Sequence, residues 1–113
     1  MSDASNLVIR PATSADEPIL LMMRALAEQE PNPGVFQQPH VSKAFRTLFE
    51  HRECGRIWLL SVDEKPAGYV VLTPGFSFEY VGTDAFIDEL YIVPEFRRGG
   101  FGTRTMQFVE AEA

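Results

Sequence analysis

The stretch that most restricts the fold is a strand, a turn and a helix in immediate succession. Ala85 to Val93 is rich in residues of high β preference (Phe86, Ile87, Leu90, Tyr91, Ile92 and Val93) and is stopped by Pro94. The basic, glycine-dense turn Arg97-Arg98-Gly99-Gly100-Phe101-Gly102 follows, and Thr103 to Ala113 then reads as a helix. In that order, the turn and the first helical residues aim several N–H groups at one point. The glycines let a ligand approach the backbone without meeting a Cβ, and Arg97 and Arg98 add positive charge. The arrangement suits a phosphate group, although for the turn alone a solvated glycine-rich helix start explains the residues about as well. It is not a P-loop, because no Gly-Lys-Ser/Thr ends the run. It is not a dinucleotide fingerprint either, because Thr105 stands where a third glycine would fall.

The rest of the chain supplies a sheet for that strand to join. Leu7-Val8-Ile9-Arg10 reads as a first strand stopped by Pro11. Ser14 and Glu17 fit a capping box, and Pro18 is tolerated in a first helical turn. Ile19, Leu20, Met22, Met23, Leu26 and Ala27 then recur at helical spacing, until Pro31-Asn32-Pro33-Gly34 ends the helix. A second helix is predicted from near Ser42 to Arg52, with Val41, Ala44, Phe45, Leu48 and Phe49 as its apolar stripe and Gly55 as a C-cap. Ile57 to Val62 and Ala67 to Leu72 form a hairpin across Asp63-Glu64-Lys65-Pro66, and Thr73-Pro74-Gly75 breaks the second strand. Gly82-Thr83-Asp84 is read as another turn. In the last helix Met106, Phe108 and Val109 are the candidate core positions. The order β-α-α-β-β-β-α is that of a mixed α/β layer.

At 113 residues the chain has room for one domain and one core. Its net charge of −6 argues against non-specific nucleic-acid binding, which needs Lys and Arg to neutralise phosphates. An acidic chain suits a cationic substrate such as an amine, though keeping the protein in solution is the plainer role of the charge. Cys54, the single cysteine, supplies neither a disulfide nor a metal cluster. No stretch approaches the ~20 apolar residues of a membrane span, and the first residues lack the pattern of a secretory signal. The expected location is the cytoplasm, with no membrane, nucleic-acid or metal partner.

Leu90-Tyr91-Ile92-Val93-Pro94-Glu95-Phe96-Arg97-Arg98-Gly99-Gly100-Phe101-Gly102 resembles the central motif of the GNAT (Gcn5-related) N-acetyltransferase superfamily, Gln/Arg-x-x-Gly-x-Gly/Ala after a hydrophobic strand and a Pro-containing turn. Arg97, Gly100 and Gly102 fill the three motif places. The preceding order of elements agrees with the same family, so the resemblance covers nearly the whole chain. It implies a mixed, mostly antiparallel sheet flanked by helices. It also implies acetyl-CoA as cosubstrate, with Leu90, Tyr91 and Ile92 offering backbone to the pantetheine arm. Arg97, Arg98, Gly99, Gly100, Phe101, Gly102 and Thr103 would wrap the pyrophosphate. The expected activity is N-acetyl transfer to a primary amine by direct attack on the thioester, the carbonyl being polarised by a backbone N–H. The acceptor would be a small-molecule or peptide amine.

Before it attacks, such an amine must lose a proton, and a nearby carboxylate is the natural base. Asp88 and Glu89 stand just upstream of the motif, and strand alternation sends them to opposite faces. Within the resemblance, groups in this role stand at even offsets from Ile92, which favours Asp88 as base or amine anchor, with Glu89 second. Salt bridging at a strand end is the competing role for both. His40 and His51 read as solvent-facing, Cys54 as a small filler at a helix end, and Met22 and Met23 as core or pocket wall. The resemblance sets the segment of Glu28 and Glu30 beside the acceptor site, although surface solvation is the better account of these two residues. Phe76, Phe78 and Tyr80 fit an acceptor pocket or an edge strand equally.

Family domains continue past the position of Ala113 with further strands and a helix. That part commonly supplies an Asn contact to the cofactor and a Tyr general acid. The expectation is therefore a single domain, 1–113, truncated after its third main helix. A fragment of a longer protein, a homodimer in which a partner completes the sheet, and a shortened inactive relative are the competing accounts, the first preferred. The second functional expectation is a non-catalytic CoA-binding or dimerising module.

Overall fold

The computed structural model describes residues 6–31, 40–77, 82–97 and 99–112, with side chains for all of these except 75–77, 82–86 and 112. Its elements are β1 (Leu7–Pro11), α1 (Glu17–Glu28), α2 (Val41–Glu50), β2 (Arg56–Val62), β3 (Lys65–Ser77), β4 (Gly82–Ile92) and α3 (Phe101–Glu112). The strands form one antiparallel sheet in the order β1-β2-β3-β4. This is the mixed α/β architecture expected, with β4 at an edge of the described sheet.

Alternation along the strands builds two cores. On one face Ile57, Leu59, Tyr69, Val71 and Tyr91 pack against Leu20, Met23 and Ala27 of α1 and Phe45 of α2. On the other, Trp58, Val70 and Leu72 meet Val109 of α3, while Leu60, Val62 and Ala67 hold Phe96 and Phe101. Trp58 stacks edge-on against Phe108 at 5.7 Å. Met106 is exposed on α3, not in the core, and Met22 and Leu26 are exposed on α1. Each of the three lies on the side of its helix turned away from the sheet.

Several boundaries differ from the expected ones. The first helix is capped one residue earlier: Asp16, in the short 3-10 turn Ser14–Asp16, accepts from the Thr13 N–H at 2.8 Å, while Glu17 accepts from Ser42 and Arg46 of α2. The hairpin turn shrinks to Asp63 and Glu64, both in the left-handed region at φ 50° and 67°, as a two-residue turn demands. β3 does not break at Thr73-Pro74-Gly75. β2 pairs with it only as far as Leu72, so at Pro74 that side of β3 is a free edge where a missing N–H costs no ladder bond. For the same reason Gly82-Thr83-Asp84 pairs within β4 and does not turn. Cys54 is exposed, in a 3-10 turn at Arg52–Cys54, and fills no helix end. Gly55 follows where a Cβ would lie 2.8 Å from the Leu72 carbonyl oxygen.

Arg10 donates to both oxygens of Asp16 at 2.9 and 2.8 Å, tying β1 to the start of α1. That guanidinium lowers the Asp16 pKa to about 2, against a smaller opposing effect of burial. A carboxyl whose pKa falls on folding stabilises the fold above its unfolded pKa. The contribution is therefore complete above about pH 4 and is lost as the pH falls towards 2. Acid unfolding followed by circular dichroism should show this segment of pH dependence, and Asp16→Asn should remove it; an unchanged acid limb in the variant would disprove the assignment.

Candidate functional site

The motif loop hangs between two buried aromatic rings. β4 ends at Ile92, and the Val93 N–H still donates to the Ala67 carbonyl at 2.7 Å, so the strand stays on the sheet to its last residue. Pro94–Phe96 then makes a 3-10 turn. Phe96 and Phe101 meet edge-on at 5.9 Å, both buried among Leu60, Val62 and Ala67. They fix the entry and exit of the glycine run. Gly100 holds φ 80°, a conformation that side chains disfavour. Gly99 lies against the Phe101 ring. At Gly102 an added Cβ would meet nothing within 4 Å, so this glycine faces open space and the fold itself does not require it.

Beside the loop is a cavity of about 310 Å³ lined by Ile92, Phe96, Arg97, Gly100, Phe101, Gly102 and Thr103. The first N–H groups of α3 have no partner higher in the helix, as at any helix start. The Arg104 N–H bonds the Gly100 carbonyl at 3.1 Å, which closes the first turn. Open space at Gly102, the helix N-terminus and the cavity together fit a pyrophosphate. Of the residues expected here, the structure brings together Ile92, Arg97, Gly100, Phe101, Gly102 and Thr103. Arg98 lies outside the described residues. Leu90 and Tyr91 send their side chains into the two cores, which leaves their backbone as what the strand edge can offer.

The Arg97 side chain turns back from the loop. Its Nε donates to the Ile92 carbonyl at 2.9 Å, its terminal nitrogen pairs with Glu30, and the guanidinium lies 5.6 Å from the Tyr91 ring centre. Burial, and next the Glu30 carboxylate, raise the Tyr91 pKa.

Asp88 and Glu89 do not obey the alternation expected of them. Val71 faces Glu89, yet the next residue of β3, Leu72, faces Ile87, so Asp88 is the extra residue of a β-bulge. Ile87 and Leu90 both pack on the α3 face. Glu89 reaches Tyr69 and Arg24 on the opposite face, and Asp88 borders a cavity under α2 on that same face. The bulge thus brings both acids to one side of the sheet.

Their surroundings differ. Arg24 Nη1 donates to both Glu89 oxygens at 2.8 Å, and the Tyr69 hydroxyl donates to one of them at 2.6 Å. The Arg24 side chain is only 2% exposed and that of Glu89 11%. Burial, reinforced by the bond to Glu89, pushes the Tyr69 pKa well above its ordinary value, so this hydroxyl stays a donor. Asp88 is exposed. With His40, Lys43, Ala44, Thr47, Leu48, Val71 and Thr73 it lines a cavity of about 590 Å³. A second recess of similar size, about 580 Å³ between Pro11–Ser14 and Leu48–Trp58, contains neither acid nor any motif residue.

Arg24 was missed from the sequence. Its signal is a cation on the stripe Leu20, Met23, Ala27, where a buried charge requires a buried partner. Glu30 pairs with Arg97 and Glu28 lies 3.8 Å from Arg24, so both serve arginines. His40 and His51 are both exposed, as expected, His51 beside Glu53 and His40 at the border of the cavity under α2. Phe78 and Tyr80 lie outside the described residues, as does the side chain of Phe76. Among the described residues no group of His, Cys, Asp and Glu is arranged to hold a metal, and no helix is long and apolar enough to cross a membrane.

The family model of the acetyltransferase (GNAT) family matches residues 20–113. Among solved structures, an integron cassette protein from the mobile metagenome of Cole Harbour Salt Marsh is 36% identical, with 92% of this chain covering 68% of that one at a TM-score of 0.77. An acetyltransferase from Vibrio fischeri is 23% identical, covering 93% and 84% of the two chains at 0.71. A predicted acetyltransferase with acetyl-CoA from Clostridium acetobutylicum is 16% identical, covering 95% and 73% at 0.71. The last two likenesses are of fold alone. Among curated proteins none matches the chain.

Proposed function

The chain belongs to the acetyltransferase (GNAT) family, and from that premise we propose that it moves an acetyl group from acetyl-CoA to a primary amine by direct attack. The observation that carries this reading is the spacing of two features on one strand. The cavity beside the glycine loop is bordered by Ile92, and the bulged acid Asp88 stands four residues upstream, about 13 Å at strand rise. An extended thioester arm laid along the edge of β4 fits between them.

Acetyl-CoA would supply an activated acyl carbon to which the amine nitrogen bonds as the carbon–sulfur bond breaks and the thiolate leaves. The chain's residues do the rest. The N–H groups at the start of α3 bind phosphate oxygens, and Gly102 lets them come close. The edge of β4 orients the arm. An alkylamine is mostly protonated near neutral pH, and Asp88, exposed in its cavity, takes that proton directly or through water. Glu89, engaged by Arg24 and Tyr69, holds the sheet to α1 beside the reacting groups and positions them without exchanging a proton.

Gly102→Leu tests the cofactor half. Because the added side chain enters open space on a helix, melting temperature should hold or rise. CoA affinity, measured by calorimetry, should fall more than about tenfold. Unchanged affinity would overturn the assignment of the loop. Release of thiol from acetyl-CoA in the presence of amines distinguishes transfer from the alternative, a CoA-binding module without catalysis.

A further inference from the structure

Resting on the transfer reading, we propose that the acceptor is a small zwitterion: a primary amine and a carboxylate carried on one molecule, the amine held at Asp88 and the carboxylate at Lys43. The cavity under α2 has the volume of a small-molecule site. Leu48, Ala44 and Val71 give it apolar walls. Asp88 borders it from β4, and Lys43 borders it from α2, with Thr47 one helical turn further along the same face.

The two charges share this cavity without neutralising one another. No ion pair joins Lys43 and Asp88, and among the described residues neither is paired with any other group. Four other close charges are matched: Arg10 with Asp16, Arg24 with Glu89, Arg46 with Glu17 and Arg97 with Glu30. A cavity with apolar walls that is bordered by one lysine and one unpaired carboxylate is complementary to a ligand with the same two charges in reverse. A diamine would set its second cation against Lys43. A simple alkylamine would leave Lys43 unanswered. The net charge of −6 points towards a cationic acceptor, but the charges that line the cavity decide what it holds.

The experiment titrates the full chain, with CoA present, against 4-aminobutyrate, its amide and putrescine, reading binding by calorimetry. Wild type should bind 4-aminobutyrate at least about tenfold tighter than either of the other two. Lys43→Met should abolish that preference while leaving CoA affinity and melting temperature unchanged. Lys43→Glu should make putrescine the preferred ligand. Putrescine bound most tightly by wild type, a preference that survives Lys43→Met, or no binding across the panel would each overturn the proposal. Zwitterion binding without thiol release from acetyl-CoA supports the site and sinks the transfer reading instead, so the two failures are told apart.

Discussion

Asp88→Asn should lower turnover by about two to four orders of magnitude, the range for loss of a general base, and leave CoA affinity within about twofold. The amide matches the carboxylate in shape but cannot take a proton from an ammonium group. Asp88 makes no described bond that the fold depends on, and as the extra residue of the bulge it faces no partner on β3. Melting temperature should therefore not move. The glycine loop begins only beyond Ile92 and keeps its own anchors, Phe96 and Phe101. The two readouts should separate cleanly. A variant that loses turnover and CoA affinity in equal measure would show that Asp88 shapes the strand and does not serve as the base.

Arg24→Met should destabilise the fold by about 3–5 kcal/mol, because it leaves Glu89 as a buried carboxylate whose only remaining described donor is a phenol. For a domain of this size that is a fall in melting temperature of at least about 10 °C. The pair itself adds little stability; removing one member is what costs. The triple variant Arg24→Met, Glu89→Met, Tyr69→Phe removes the guanidinium, the Glu89 carboxylate and the phenol donor, leaves only the part-exposed Glu28, and should recover most of the loss. It should also keep CoA binding while failing in transfer, since α1 and β4 are then no longer tied beside Asp88, the proposed base. Thermal melts of the single and triple variants decide the matter. A single variant as stable as wild type would show that Glu89 finds other partners.

How much of this was legible in the sequence follows from whether each feature is set locally. The loop was legible because proline, glycines and the helix after them act within a few residues of one another. The order of the strands and the two helical stripes came from periodicity, which is also local. The bulge at Asp88 was not legible. It exists only in the register of β4 against β3, where Leu72 passes over Asp88 to face Ile87. Alternation read along β4 alone gave opposite faces for two acids that share one. The uninterrupted course of β3 through Pro74 was hidden for a related reason, since it depends on where β2 ends. Arg24 was visible as a cation on an apolar stripe, but its partner lies 65 residues away and no pattern along the chain joins them.

The bulge has a consequence for how the sequence can change by loss. Deleting a residue from a strand ordinarily turns every later side chain to the wrong face. β4 contains a position exempt from that rule. Without Asp88, Glu89 still stands opposite Val71 and Ile87 opposite Leu72, now as an unbroken ladder. One codon removed there would spare the sheet, the two cores and the cavity beside the glycine loop, and would take away Asp88 alone. With Asp88 as the base, a catalyst and an inert CoA-binding relative are separated by a single in-frame deletion.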